Sequence, residues 1–223
     1  MASTLFIGDA VNLVGQRFPK LLTEGNGARL SDEVVKFMWL RYPWRASIGV
    51  LPPFGLNLSE PDYTLPFVSI PGDFLNLHQV WIRAWDGTKI EPQLTIKPDL
   101  PISVTEGPPE SISYQPELSG FRIFPRPSMI SPDYWIEGRY KKQLTKIVNA
   151  TLQTYAFPWD DQYFHVFRKG LVAKVKDELL NNKQEALAEY GEFLNLLEGM
   201  AAAENLISGE NSVHPQFPLA MGG

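Results

Sequence analysis

The apolar residues of this chain change their period twice. Val34, Val35, Met38 and Tyr42 recur at helical spacing near the start. From Tyr63 to Tyr140 the period is two, the spacing of strands. After Lys141 the helical period returns and persists to the region of Asn205. The simplest architecture for that order is α+β: a helical bundle built from the N- and C-terminal segments, with an antiparallel β-sandwich or barrel inserted in one of its loops. The expected parts are a helical domain from residues 1–62 and 141–207, an inserted β-domain over 63–140, and an extended C-terminal arm over 208–223.

Local signals fill in this outline. Ser31 is read as the cap of a helix running through "DEVVKFMWLRY", with Asp32 and Glu33 in its first turn, where they complement the helix dipole. Pro43 stops it, because the residue before a proline resists the helical region. Leu5 to Leu22 holds a second short helix, and "TEGNG" at Thr23 to Gly27 reads as a loop. The prolines of "RYPWRASIGVLPPFGLNLSEPDYTLPF" are expected to stiffen the exit from bundle to sheet.

In the middle, "LHQVWIRAW" and "TKIEPQLTI" flank Asp86-Gly87, a preferred type I′ pair, which predicts a hairpin. Val80, Ile82 and Ala84 then share one face, and Trp81, Arg83 and Trp85 the other. "SISYQPELSGFRIFP" predicts a second hairpin turning near Ser119-Gly120, and "DYWIEGRYKKQ" a final strand. Three helices are expected afterwards. "LTKIVNATLQTYAF" ends at Pro158. "DDQYFHVFRKGLVAKVKDELL" carries Phe164, Phe167, Leu171 and Val175 on one stripe. "QEALAEYGEFLNLLEGMAAAEN" carries Leu187, Tyr190, Leu194, Leu197 and Ala201.

Composition narrows the function. Hydrophobic residues make up 44% and charged residues 20%, which is the balance of a chain with a buried core. Cysteine is absent, so disulfides, thiolate metal sites and cysteine nucleophiles are excluded. The first residues, "MASTLFIGDAVNLVG", lack the basic start and apolar run of a signal peptide, and no stretch approaches the ~20 apolar residues of a membrane span. Net charge is −5, and the one basic cluster is "RYKK" at Arg139 to Lys142. A mildly acidic protein beside DNA lets the duplex pass rather than gripping it.

Catalytic chemistry is scarcely visible. Asp161 and His165 would share a helical face, which admits a metal or acid–base pair. The plainer reading is an acidic first turn with an amphipathic histidine behind it. His78 and His214 have no metal-ligand companion at useful spacing, and no phosphate loop, G-x-S-x-G or zinc signature occurs. Trp81, Trp85 and Trp135 could line a sugar-binding face, although such aromatics more often fill a core or an interface. "FPRP" at Phe124 to Pro127 lies between two strands and reads as a connecting turn. The expectation is a chain with no cofactor and no enzymatic role.

Several stretches resemble the head-to-tail adaptor proteins of tailed bacteriophages, the tail tubular protein A-like group. They are "FMWLRYPWRASIGVLPPFGL", "DYTLPFVSIPGDFLNLHQVWI", "GFRIFPRP" with "YWIEGRYKKQ", and "FPWDDQYFHVFRKGLVAKV" with "AAAEN". The likeness covers most of residues 31–207. It implies a virion neck protein that forms a homo-oligomeric ring of twelve copies under the portal protein, above a downstream tail or nozzle protein. DNA would pass through the lumen without specific binding. It also implies a C-terminal arm that reaches the portal, which assigns partner contacts to Val213, His214, Pro215, Gln216, Phe217, Pro218, Leu219 and Met221. The arm's two prolines forbid a helix, and Phe217, Leu219 and Met221 alternate, as a strand laid on a neighbour would. A carbohydrate-binding or other β-sandwich module of the tail or surface is the alternative. Long C-terminal helices favour the adaptor, because a sugar-binding sandwich does not need them.

Overall fold

The computed structural model describes residues 4–56, 60–64, 66–84, 89–90, 93–102, 104–128 and 131–204. The chain divides into two compact units. One takes the residues up to Ala46 together with those from Leu144 onward; the other runs from Ser47 to Gln143. Each has its own buried apolar cluster.

The helical unit holds α1 (Ile7–Arg17), α2 (Glu24–Arg41), α3 (Phe164–Lys174), a π-helical turn (Val175–Leu179) and α4 (Lys183–Ala203). α2 begins about two turns before Ser31, because Thr23 caps it. The Asn26 side-chain oxygen accepts the Thr23 N–H at 2.7 Å while the Thr23 hydroxyl faces the Asn26 N–H at 3.5 Å. The supposed loop "TEGNG" is therefore the cap and first turn. Its two glycines, poor helix formers, concealed it. Gly27 is there for packing, since a Cβ would lie 2.7 Å from Val11 Cγ1 of α1. Ser31 and Asp32 consequently sit in the middle of α2 and are buried. Asp32 caps nothing in its own helix. It accepts the Ile147 backbone N–H at 2.9 Å and the Lys36 ammonium at 2.7 Å.

The stretch expected to be a helix over "LTKIVNATLQTYAF" is instead irregular, with one 3-10 turn at Asn149–Thr151. Its β-branched residues Thr145, Ile147, Val148, Thr151 and Thr154 disfavour helix. Its apolar residues reach the core without one: Ile147, Leu152 and Phe157 are buried. Backbone pairing replaces helical bonds, with Ile7 N–H donating to Tyr155 O and Phe157 N–H to Leu5 O, both at 2.9 Å.

α3 matches its predicted stripe, with Phe164, Phe167, Leu171 and Val175 all buried. Each such side chain contributes about 1.5–3 kcal/mol of hydrophobic stabilisation. Of the expected α4 stripe, Leu197 and Ala201 are buried and Tyr190 and Leu194 pack against the same cluster, but Leu187 does not join them. Ala186, Phe193, Leu197, Met200 and Ala201 are buried, whereas Leu187 is 57% exposed. Gly170 lies where three helices meet, since a Cβ there would be 2.8 Å from Val34 Cγ1 of α2 and 2.9 Å from Phe193 Cε2 of α4. Ion pairs line the rim of this contact: Lys174 bridges Glu33 at 2.9 Å and Glu178 at 3.2 Å, and Lys176 bridges Glu185 at 2.9 Å and Glu189 at 2.8 Å.

The second unit is built from β1 (Ile48–Leu56), β2 (Asp62–Tyr63), β3 (Phe74–Ala84), β4 (Lys89–Ile90), β5 (Thr95–Ile96), β6 (Glu106–Gly107), β7 (Ser111–Gln115), β8 (Gly120–Phe124), β9 (Arg126–Pro127) and β10 (Ser131–Lys142). One sheet has the order β1-β10-β3-β4, a second β2-β8-β7-β5, and β6 pairs with β9. Most pairs are antiparallel; β5 with β7 and β6 with β9 are short parallel pairs. Among the described residues neither four-stranded sheet closes on itself, so a barrel is not formed. Leu51, Phe54, Val80, Ile82 and Ile136 of the first sheet share one buried cluster with Tyr63, Ile112, Phe121 and Ile123 of the second.

β1 begins well before the boundary expected at residue 63. Pro52-Pro53 stiffens no linker. The pair lies inside β1, at the register shift between Leu51 and Phe54, on an edge strand. There a proline's missing N–H costs no ladder bond and discourages pairing with a foreign strand. The Asp86-Gly87 turn lies outside the described residues. The flanking strands do pair, Ile82 with Ile90 and Arg83 with Lys89, one residue off the register that a two-residue Asp86-Gly87 loop would impose. The second hairpin turns through a 3-10 segment, Pro116–Leu118, and Ser119 at φ 46°.

Two glycines of the helical unit, Gly191 and Gly170, separate propensity from packing. Gly191 of α4 has nothing within 4 Å of a prospective Cβ. Gly191→Ala should raise the chemical denaturation midpoint, worth about 0.5–1 kcal/mol, by helix propensity alone. Gly170→Leu should lower stability by about 2 kcal/mol or more through overpacking. A Gly170→Leu protein as stable as the parent would show that the helices do not meet at that residue.

Candidate interaction surfaces

The first sheet turns one face to its apolar cluster and carries polar residues on the other. Alternation along β3 and β10 sets the second face: Trp81 and Arg83 on β3, Trp135, Glu137 and Arg139 on β10. Register places Glu137 directly opposite Trp81. Its carboxylate accepts the Trp81 indole N–H at 2.9 Å and is also bonded by Arg83. Lys89 Nζ stands 4.0 Å from the Trp81 ring centroid. Burial by itself would raise the Glu137 carboxyl. The Trp81 and Arg83 hydrogen bonds and the charges of Arg83 and Lys89 outweigh it and hold the group below the ordinary carboxylate range. The Trp81 ring is thus engaged within the sheet, by Glu137 at its N–H and by Lys89 over the ring. Trp135 is half-buried, and Trp85 lies outside the described residues.

Asp161 and His165 are each employed structurally. Asp161 opens a 3-10 turn ahead of α3, and its carboxylate accepts the Thr4 hydroxyl at 2.6 Å. His165 Nδ1 lies 2.8 Å from the Gln162 carbonyl, so that nitrogen carries the proton. Among the described residues no group of three His, Cys, Asp or Glu side chains could hold a metal ion. No helix among them is long and apolar enough to cross a membrane.

α4 presents a second surface. Leu187 and Leu196 are exposed, and Gly191 and Gly199 have open space above them. The predicted arm contacts Val213, His214, Pro215, Gln216, Phe217, Pro218, Leu219 and Met221 all lie outside the described residues. Sequence reasoning missed Glu137 and Lys89. Both gain meaning only from a strand register that joins positions far apart in the chain, and no local pattern announces it.

A scan of protein families matches residues 54–214 to the SU10 adaptor protein family. That stretch is well over half of the chain, and the chain belongs to this family of phage head-to-tail adaptors. No curated protein matches it.

The Glu137 cluster has a pH signature. A carboxyl whose folded-state value is depressed stabilises the fold above its unfolded value of about 4.3, and that stability is lost as pH falls through the lower folded value. Glu137→Gln should therefore flatten the loss of stability measured by denaturant titration between about pH 5 and pH 3. An unchanged slope in the variant would mean that Glu137 is not held by Trp81 and Arg83.

Proposed function

We propose that the chain forms a ring beneath the portal of a tailed phage, joins it to the downstream tail, and lets DNA pass. The observation that carries this reading is the family match across residues 54–214, which spans parts of both units. In this reading the two units act as separate domains. The sheets of the second pack face to face as a sandwich, supported by the single apolar cluster to which both contribute. Twelve copies is the number that the resemblance to the tail tubular protein A-like adaptors implies. The chain works as a structural part, without catalysis or cofactor, and resides in the virion neck.

Two features support passage of DNA without capture. Net charge is −5, and several basic residues of the helical unit are spent on carboxylates, as with Lys169 between Glu189 and Glu192. Surfaces of this kind do not accumulate phosphate contacts. The C-terminal arm is the element proposed to dock on the portal. Fully extended, residues 212–223 would reach ~40 Å, enough to leave one subunit and lie on another protein.

Deletion of residues 212–223 tests the docking role. The truncated protein should keep its helical circular dichroism and melting temperature while losing co-sedimentation with portal rings. A truncated protein that still decorates portals at full occupancy would contradict the arm and move the docking surface to α4 around Leu187.

A further inference from the structure

Two helix faces of the helical unit stay uncovered among the described residues, and their patterns are complementary. On α4 the outward positions Ala188, Gly191, Asn195, Gly199 and Ala202 recur every three or four residues, and all are exposed. This line is small and uncharged, where a solvated helix face ordinarily carries charged and larger polar side chains. A glycine weakens a helix relative to alanine. Nothing within the chain requires the two here, since a Cβ at Gly191 or Gly199 would meet no atom within 4 Å, whereas Gly27 and Gly170 are confined by their neighbours. Leu187 and Glu198 border the line on one side, Glu192 and Leu196 on the other, and all four are exposed. The result is a shallow trough with a small-residue floor and acidic rims. Glu192 is held by Lys169, but among the described residues Glu198 enters no ion pair.

The outward face of α1 is the converse, a ridge of large apolar residues that ends in cations. Phe6 at the cap, then Leu13 and Arg17, follow one line along the helix and are exposed. Lys20 comes just after, also exposed. The Arg17 guanidinium lies 5.8 Å from the Phe18 ring centroid, and among the described residues neither Arg17 nor Lys20 meets a carboxylate. Phe6 precedes Arg17 by eleven positions, and Leu187 precedes Glu198 by the same eleven, about three turns on each helix. With the two helices laid parallel and Phe6 beside Leu187, Leu13 would come level with Asn195 and Arg17 with Glu198. The small floor of the trough would let the backbones approach closely.

We propose that the α1 ridge of one copy docks in the α4 trough of a second copy, with Arg17 paired to Glu198. Within one chain the two faces cannot serve each other: α1 rests on α2 and α3, α4 rests on α3, and both lines stay exposed. The opposite signs at matching positions, acid on the trough and cation on the ridge, point to this chain as its own partner. Because the two faces differ, the contact is head-to-tail. Each copy offers its ridge to one neighbour and its trough to another, and such a contact closes into a ring when its rotation allows. The inference rests on the ring reading above and names the faces that make the ring; the portal was assigned to the C-terminal arm, which leaves α4 available.

The chain has no cysteine, so introduced thiols report contacts without background. Full-length Leu13→Cys and Asn195→Cys proteins, both altered at exposed positions, would be assembled on portal rings singly and mixed, inspected for rings by electron microscopy, and oxidised mildly. The mixture should give a covalent dimer, each variant alone should give none, and the double variant should give a ladder of multimers. Should Leu13→Cys fail to fold, Gln16→Cys, also exposed, takes its place. Arg17→Glu on the first protein, or Glu198→Arg on the second, should lower the dimer yield by about twofold or more, and the two together should restore it. Rings without the mixed dimer would overturn these faces and leave the ring reading standing. A dimer from either single variant would overturn the head-to-tail pairing. A yield indifferent to the charge reversals, or not restored by combining them, would overturn the pairing of Arg17 with Glu198. A chain that forms no ring on the portal would overturn the ring reading and this inference with it.

Discussion

The close approach of α3 to α2 and α4 at Gly170 is the constraint on which the helical unit depends. A side chain there would collide with Val34 and Phe193, so the residue has to be small. Around it the apolar stripe of α3 is fully covered, with Phe167 and Leu171 at 0% exposure. The elements that meet at Gly170 come from opposite ends of the chain, separated by the whole sheet unit. Helix propensity cannot hold such distant segments together; packing must. The Asp32 carboxylate adds a second long-range tie, since it satisfies the buried Ile147 N–H.

That dependence on distant partners also explains which features were legible in the sequence. The order helix, sheet, helix was legible because it rests on hydrophobic period, a local property. The α3 stripe was legible for the same reason. Thr23 was overlooked as a cap because glycines at 25 and 27 look like a turn until Val11 is known to pack against the second of them. The segment after Gln143 mimicked a helix in its spacing, but β-branched residues and pairing with Leu5 and Ile7 decided otherwise. Leu187 was assigned to the core from spacing alone. Phe193 and Met200 fill that core from a neighbouring face of the helix, and Leu187 turns outward.

The sheet unit shows how a few residues set the character of a surface. Pro52-Pro53 sits in the bulge of edge strand β1, Trp81 is clamped by Glu137 and Lys89, and β3 bulges at His78, where Arg139 pairs with Gln79 and Tyr140 with Leu77. None of these depends on a sequence motif; each depends on register, which is fixed only when the strands pair. The candidate arm could be marked in the sequence by its prolines and alternating apolar residues, but the contacts proposed for it would be made on a partner's surface.

Electron microscopy of the purified full-length chain mixed with isolated rings of its own phage's portal tests the adaptor account most directly. The account predicts closed rings of this chain stacked coaxially on one end of the portal, with a central opening wide enough for duplex DNA. Bare portals beside dispersed monomers, under conditions in which the protein is folded, would contradict it.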